Sequence, residues 1–258
     1  MRRGHALLLA LLAAAPAACA GVRGPSAAPG TPRAEDFAPL LAAADRTAED
    51  RALDPGRHPA ELLAFLEVRP GLRVAELGAA EGYTAELLVR AVGPGGTVYG
   101  QNTRTLLAQV GDVWGRRLAR PVMSRLLRVD RELAAPLPPE ATGLDLVVMN
   151  ATYHDTLWLD VDRARMNRAI FEALRPGGVY AVIDSSARAG AGREEAYLLH
   201  RVDQALVLRE VEAAGFQLAG ESGFLRNAAD QRDWSAAPNE AGERRGTSDR
   251  FALRFVRP

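Results

Sequence analysis

Apolar positions along the chain switch period several times, from runs that are apolar on both sides to stretches in which Leu, Ile, Val and Ala recur every three or four residues. Val74-Ala75-Glu76-Leu77 reads as a buried strand entered from a turn at Pro70-Gly71. The tight turn Gly78-Ala79-Ala80-Glu81-Gly82 follows. Ala85, Leu87, Leu88, Ala91 and Val92 then keep helical spacing until Gly93-Pro94-Gly95-Gly96 stops them. A second strand is predicted over 97–100, a helix over 103–120 and a short third strand over 125–129, closed by Asp130. After a proline-rich loop at 136–143, residues 144–150 are almost continuously apolar, as suits a parallel strand buried on both faces.

Met166, Ala169, Ile170 and Ala173 form the next helical stripe, broken by Pro176-Gly177-Gly178. A strand over 179–183 ends at Asp184, and the small residues of 185–192 read as a mobile lid. A continuous helix is expected over 194–214, with Gly215 as its stop. Strands follow over 216–221 and 251–256. The polar stretch 225–248 is too long for a hairpin and is expected to fold over the site. Upstream, 35–54 reads as a leading helix covering one sheet edge. Pro59 then opens a second helix with Leu62, Leu63, Phe65 and Leu66 inward. His58 beside it reads as a capping or surface residue.

The first twenty residues stand apart. Arg2 and Arg3 precede an apolar run of about ten residues, too short to span a bilayer, and then the small residues Ala17-Ala18-Cys19-Ala20-Gly21. Residues 1–20 thus read as a secretory signal peptide, 21–34 as a flexible linker rich in Pro, Gly and Ala, and 35–258 as one domain. The expected location is exported, either periplasmic or membrane-anchored through a lipid on Cys19; both cleavage types are open. Cys19 is the only cysteine, so the domain has neither a disulfide nor thiol chemistry. Lys plus Arg equals Asp plus Glu at 32 each, which leaves no net basic field for nucleic acid, and no nucleic-acid partner is expected.

In open α/β sheets ligands bind outside the carboxyl ends of the strands, which makes the polar residues there the candidates for chemistry. The strand over 144–150 delivers Asn150, Tyr153, His154 and Asp155, with His154 a candidate general base near neutral pH. His200 and Asp203, three apart on the expected helix, together with His154 and Asp184 would make a metal set. Nothing in their spacing demands one, and no metal is expected.

Glu76 at a strand end followed by Gly78-x-x-x-Gly82, five parallel strands separated by helices, Pro176-Gly177-Gly178 and a terminal strand pair together resemble class I S-adenosylmethionine-dependent methyltransferases over about residues 35–258. The strings Tyr153-His154-Asp155, Leu199-His200-Arg201-Val202-Asp203 and Thr247-Ser248-Asp249-Arg250-Phe251 are similar to a bacterial family of exported, predicted methyltransferases. The resemblance implies a Rossmann-like seven-stranded sheet with helices on both faces and an antiparallel last strand. It implies S-adenosylmethionine as cofactor, held by Glu76, Gly78, Ala80, Gly82, Gln101, Asn102 and Asp130. Asn150 would stand at the border with a small-molecule methyl acceptor, which Tyr153, His154 and Asp155 would face.

Two departures accompany the resemblance. Ala80 stands where the family usually carries its middle glycine, and Gln101-Asn102 stand where it usually carries the acid that receives the ribose hydroxyls. Restoring the acid with Gln101→Glu is expected to hold or raise donor affinity. The alternative to an enzyme is a non-catalytic exported binding protein on a methyltransferase scaffold.

Overall fold

The computed structural model describes Met1 and residues 30–258; the expected signal peptide and most of the expected linker lie outside the described residues. A 3-10 turn at Ala34–Phe37 leads into α1 (Ala38–Leu41), α2 (Ala48–Arg57) and α3 (Pro59–Phe65). Then come β1 (Arg73–Leu77), α4 (Tyr83–Val92), β2 (Thr97–Asn102), α5 (Arg104–Leu118), β3 (Leu126–Asp130), β4 (Leu144–Asn150), α6 (Asp155–Trp158) and α7 (Arg163–Ala173). The chain ends with β5 (Leu174–Ser185), α8 (Arg193–Leu199), α9 (Gln204–Ala213), β6 (Gln217–Ser222) and β7 (Arg250–Val256).

The strands form one sheet in the order β3-β2-β1-β4-β5-β7-β6. β1 to β5 pair in parallel, and β7 runs antiparallel between β5 and β6. The strand order reverses between β1 and β4, so the crevice outside their carboxyl ends is the place where this topology binds ligands. The two-residue period of the strands feeds two cores. Ala75, Leu77, Val147 and Met149 pack on the face covered by α7 and α9, while Val74, Leu146 and Val148 pack on the face of α3 and α4. This is the expected Rossmann-like seven-stranded sheet with helices on both faces.

Three local expectations are corrected. The leading helix over 35–54 is broken: Arg46 and Arg51 donate to the carbonyls of Leu41 and Ala43, and Thr47 Oγ1 accepts from Asp50 N to start α2 afresh. The helix over 194–214 breaks at His200, whose φ is +49°. Val202 there pairs with Ser186, and Asp203 caps α9 by accepting from Ala205 N, so His200 and Asp203 share no helix. The lid over 185–192 is tied at its start: Ser185, Ser186 and Ala187 are buried, and Ala187 N donates to Val202 O. His58 is exposed, as expected of a surface residue, and its left-handed backbone (φ +47°) separates α2 from α3.

Apart from a 3-10 turn at Gly242–Arg244, the stretch 225–249 is held by ion pairs. Arg201, wholly buried, donates to both oxygens of Asp230 and to the carbonyls of Ser186 and Trp234, while Asp249 receives Arg226 and Arg232. Ala236 N donates to Leu199 O, which sets this stretch beside His200. Removing one partner of a buried pair strands the other charge. Asp230→Ala is therefore expected to cost about 3–5 kcal/mol and to lower the thermal midpoint by on the order of 10 °C. Arg128→Ala, which opens the exposed pair with Asp130, is expected to cost less than about 1 kcal/mol. Urea and thermal unfolding of both variants measure the contrast.

Candidate functional site

The turn between β1 and α4 reverses the chain through three left-handed residues, Gly78 (φ +70°), Ala80 (φ +51°) and Gly82 (φ +84°). Two of them must be glycine for a second reason. A Cβ on Gly78 would stand 2.4 Å from Thr152 Oγ1, and one on Gly82 2.4 Å from Trp114 Cζ3. Ala80 has room but carries a Cβ in a backbone region that disfavours it. Gly82 caps α4 without a side chain, so the first turn of α4 opens toward the crevice with its N–H groups uncapped.

β2 runs two residues further than expected, and its last two side chains serve this turn. Gln101 Oε1 accepts from Gly78 N (2.9 Å) while its Nε2 donates to Arg131 O (2.5 Å). Asn102 Oδ1 accepts from Ala80 N (2.8 Å) while its Nδ2 donates to Ala80 O (3.2 Å). Both are fully buried, with every polar atom engaged by backbone. A carboxylate only accepts. Gln101→Glu would therefore lose the bond to Arg131 and bury a charge, which reverses the expectation that restoring the acid helps.

Glu76, on the last turn-facing position of β1, is buried, and its Oε2 has no hydrogen-bond partner. Burial pushes its pKa up to about 8 against the opposing pull of Thr84, Arg57 and Arg117. Arg57, at the end of α2, stacks its guanidinium 4.4 Å over the Tyr83 ring. Its pKa is lowered, chiefly by burial. Among the described residues it has no carboxylate within ion-pair distance, although it feels the charge of Glu76 and Glu81. Its position is imposed from outside the turn: α2 is fastened by Arg46 on Asp54, by Tyr83 Oη donating to Asp54 (2.6 Å), and by Arg117 bridging Asp50 and Glu86. A carboxyl with one oxygen unpartnered and a guanidinium with no carboxylate on it thus stand at the same turn. Sequence reasoning missed Arg57, because no motif marks it.

At the end of β4 the chain turns through Ala151 (φ +55°) and presents His154. His154 Nδ1 lies 2.9 Å from Asp184 Oδ1 at the end of β5, and its backbone N–H donates to Asp184 Oδ2 (3.0 Å). Its Nε2 lies 3.2 Å from Asp155 Oδ1 and 3.3 Å from His200 Nδ1. Burial alone would depress the imidazole, but the Asp184 and Asp155 carboxylates outweigh it and raise its pKa to about 10. The two carboxylates thus favour the protonated imidazole, which works against the general-base role expected of His154. His200, half-buried, has its pKa lowered by burial and by the charge of His154, and it is the neutral imidazole of the pair.

His154, Asp155, Asp184 and His200 are thus brought together. Tyr153 is not: it is buried among the helices, with its hydroxyl donating to Glu210 (2.7 Å) and accepting from Asn167. Asn150 donates to the Thr84 hydroxyl (3.3 Å) in the first turn of α4. Asp130 is exposed, paired with Arg128, and lines an open cleft of about 680 Å³ with Arg104, Arg131 and Glu132 beyond β2 and β3. A second cleft, of about 540 Å³, is lined by Trp158, Arg193, Glu194 and Tyr197. It adjoins the histidine pair, since Trp158 Nε1 donates to Asp155 Oδ1 (3.0 Å). His200 carried a sequence signal within Leu199-His200-Arg201-Val202-Asp203, but its contact with His154 did not.

No family model matches the chain. Among solved structures it is similar to a SAM-dependent methyltransferase from Aquifex aeolicus, at 15% identity over 82% of this chain and 98% of that one, with a TM-score of 0.56. It is similar to a putative sarcosine dimethylglycine methyltransferase from Galdieria sulphuraria, at 15% identity over 81% and 86%, with a TM-score of 0.57. It is also similar to the [4+2]-cyclase SpnF, at 16% identity over 79% and 80%, with a TM-score of 0.54. At these identities the likeness is one of fold: the chain has the Rossmann-like α/β fold on which SAM-dependent methyltransferases, and at least one cyclase, are built.

Proposed function

We propose that this protein binds S-adenosylmethionine at the β1–α4 turn and transfers its methyl group to a small-molecule acceptor at the ends of β4 and β5. The observation that carries the reading is the pair of groups at the turn, a Glu76 carboxyl with one oxygen free of any hydrogen bond and an Arg57 guanidinium with no carboxylate on it among the described residues. A zwitterionic amino acid needs an acceptor for its ammonium and a cation for its carboxylate. Glu76 Oε2 and the Arg57 guanidinium supply them, beneath a left-handed turn and an uncapped helix start. The cleft beside Asp130 would take the adenosine, while Gln101 and Asn102 act from beneath, by holding the turn in shape.

The donor supplies an electrophilic methyl group on a sulfonium. The chain's own contribution is to orient donor and acceptor, since an in-line displacement gains most from positioning. The aromatic cleft of Trp158 and Tyr197 is the acceptor side, and the cluster of His154, Asp155 and His200 beside it is the set of polar groups that meets the acceptor. The export signal read at the N-terminus supports a periplasmic or Cys19-lipidated location. A second reading, a non-catalytic binding protein, is favoured by one observation: the β2 amides that would meet a ribose are engaged by the turn.

Calorimetric titration of the full chain with S-adenosylmethionine and with its demethylated product is expected to show micromolar binding of both, about −8 kcal/mol. Arg57→Met is expected to weaken both roughly 10–100-fold, as loss of a charged hydrogen bond implies. Absence of binding to well-folded wild-type protein would sink the donor reading and leave the binding-protein reading.

Ala80→Gly relieves the left-handed strain but loosens the unfolded chain. It is expected to raise stability by about 1 kcal/mol or less while donor affinity holds or rises; a fall in affinity on titration would contradict this account of the turn.

Glu76→Gln has a signed pH dependence. The folded-state pKa of about 8 lies above the ordinary carboxyl value of 4.5. Between these values the folded protein keeps a proton that the unfolded chain has lost, so wild-type stability falls as pH rises through that window. The variant is expected to match wild type below pH 4.5 and to melt on the order of 5 °C higher at pH 9, while losing donor affinity. Melting curves across the pH range read the difference.

A further inference from the structure

The histidine cluster has the geometry of a ligand set. Asp184 uses both oxygens on His154, one on the Nδ1–H and one on the backbone N–H. A carboxylate only accepts, so Nδ1 carries the hydrogen and Nε2 is the atom that faces outward. A carboxylate behind one imidazole nitrogen is the arrangement that orients a metal-ligating histidine through the other. Nε2 stands 3.2 Å from Asp155 Oδ1 and 3.3 Å from His200 Nδ1, and the three atoms all lie within 4.8 Å of one another. Ligands about 2.0–2.1 Å from a common tetrahedral centre are ~3.3–3.4 Å apart, so two of the three edges are already at that length.

The surroundings fit as well. Asp155 is itself held by the Trp158 indole N–H (3.0 Å), a second outer-shell hydrogen bond on a ligand. His154 is buried at the end of a central strand, while Asp155 and His200 are half-buried. The chain thus offers three ligands, one fewer than a closed structural site holds, and two of them are partly exposed, the pattern of a catalytic rather than a structural metal site.

We propose that His154 Nε2, Asp155 Oδ1 and His200 Nδ1 bind one divalent transition-metal ion, with Asp184 as the positioning residue behind His154. Two imidazoles and one carboxylate select zinc or a neighbouring first-row ion over magnesium or calcium. The metal binds His154 through an unprotonated Nε2, as every imidazole ligand requires. The site stands on its own residues and is measured without any methyl donor, so its failure and that of the donor reading are separate results.

The test uses the full chain, stripped with a chelator and titrated with zinc chloride against a chromophoric competitor. The expected result is one equivalent bound with a dissociation constant below about 1 μM, with protons released and a higher melting temperature. Asp184→Asn is expected to weaken binding 10–100-fold, and His200→Gln and Asp155→Asn to weaken it at least as much. His58→Ala, at an exposed histidine outside the cluster, leaves it unchanged. Cobalt(II) is expected to give the intense visible absorption of a four- or five-coordinate ion, which does not depend on any variant folding. A folded wild type that binds no stoichiometric zinc, zinc affinity indifferent to His200→Gln, or a cobalt spectrum like that of the hydrated ion would each overturn the proposal and leave His154 as a side chain held by two carboxylates.

Discussion

A strand that passes into a helix within five residues has to turn its backbone through conformations that side chains oppose, and the 78–82 turn does so three times. Its shape decides what stands around it. Because Gly78 has no Cβ, Thr152 from the end of β4 closes on the turn, which fixes where the chain heads toward His154. Because Gly82 has none, Trp114 and Arg117 of α5 close from the other side, and Arg117 in turn holds α2 through Asp50. The placement of Arg57, the opening of α4 and the approach to the histidine pair all depend on one small stretch of left-handed backbone.

The amides at the end of β2 belong to the same constraint. Each amide meets one donor and one acceptor of the backbone: Gln101 meets Gly78 N and Arg131 O, and Asn102 meets Ala80 N and Ala80 O. Only a side chain that both donates and accepts satisfies such a pair when buried. Gln101 and Asn102 do so, and a carboxylate in either place does not. The departure from the family pattern is thus a local solution for a turn that carries alanine at its middle position. Its consequence is that the β2 amides are not free to receive a ligand, and in the proposed donor site Glu76 and Arg57 take that part.

Much of this architecture was legible along the chain. Strands buried on both faces leave continuous apolar runs, and proline and glycine mark their ends, so β1, β4 and the strand–turn–helix unit were readable from local pattern. The breaks at 42–47 and 200–203 were not. Each depends on a cap or bridge supplied by the fold: Arg51 reaching back to Ala43, and Val202 pairing with Ser186 across more than a dozen residues. Tyr153 read as a site residue because alternation at a strand end does not say which way a following loop turns. Arg57 could not be read at all, since its place is set by ion pairs among α2, α4 and α5. His154 was found by position, but its protonation belongs to Asp184 and Asp155, which only the folded sheet brings to it.

That division bears on what the fold means for chemistry. The neighbours in structure include both methyltransferases and a cyclase, so the sheet order alone does not select a reaction. What distinguishes this chain lies at the ends of three adjacent strands: Glu76 on β1, His154 following β4 and Asp184 on β5. The first two are joined through the contact of Thr152 with Gly78, four residues around the sheet end that no side chain larger than hydrogen at position 78 permits. A displacement of the turn by even a Cβ would therefore move Thr152, and with it the loop carrying His154 and Asp155. The proposed donor site and the histidine cluster are set by one steric condition, which is the reason to regard them as halves of a single site.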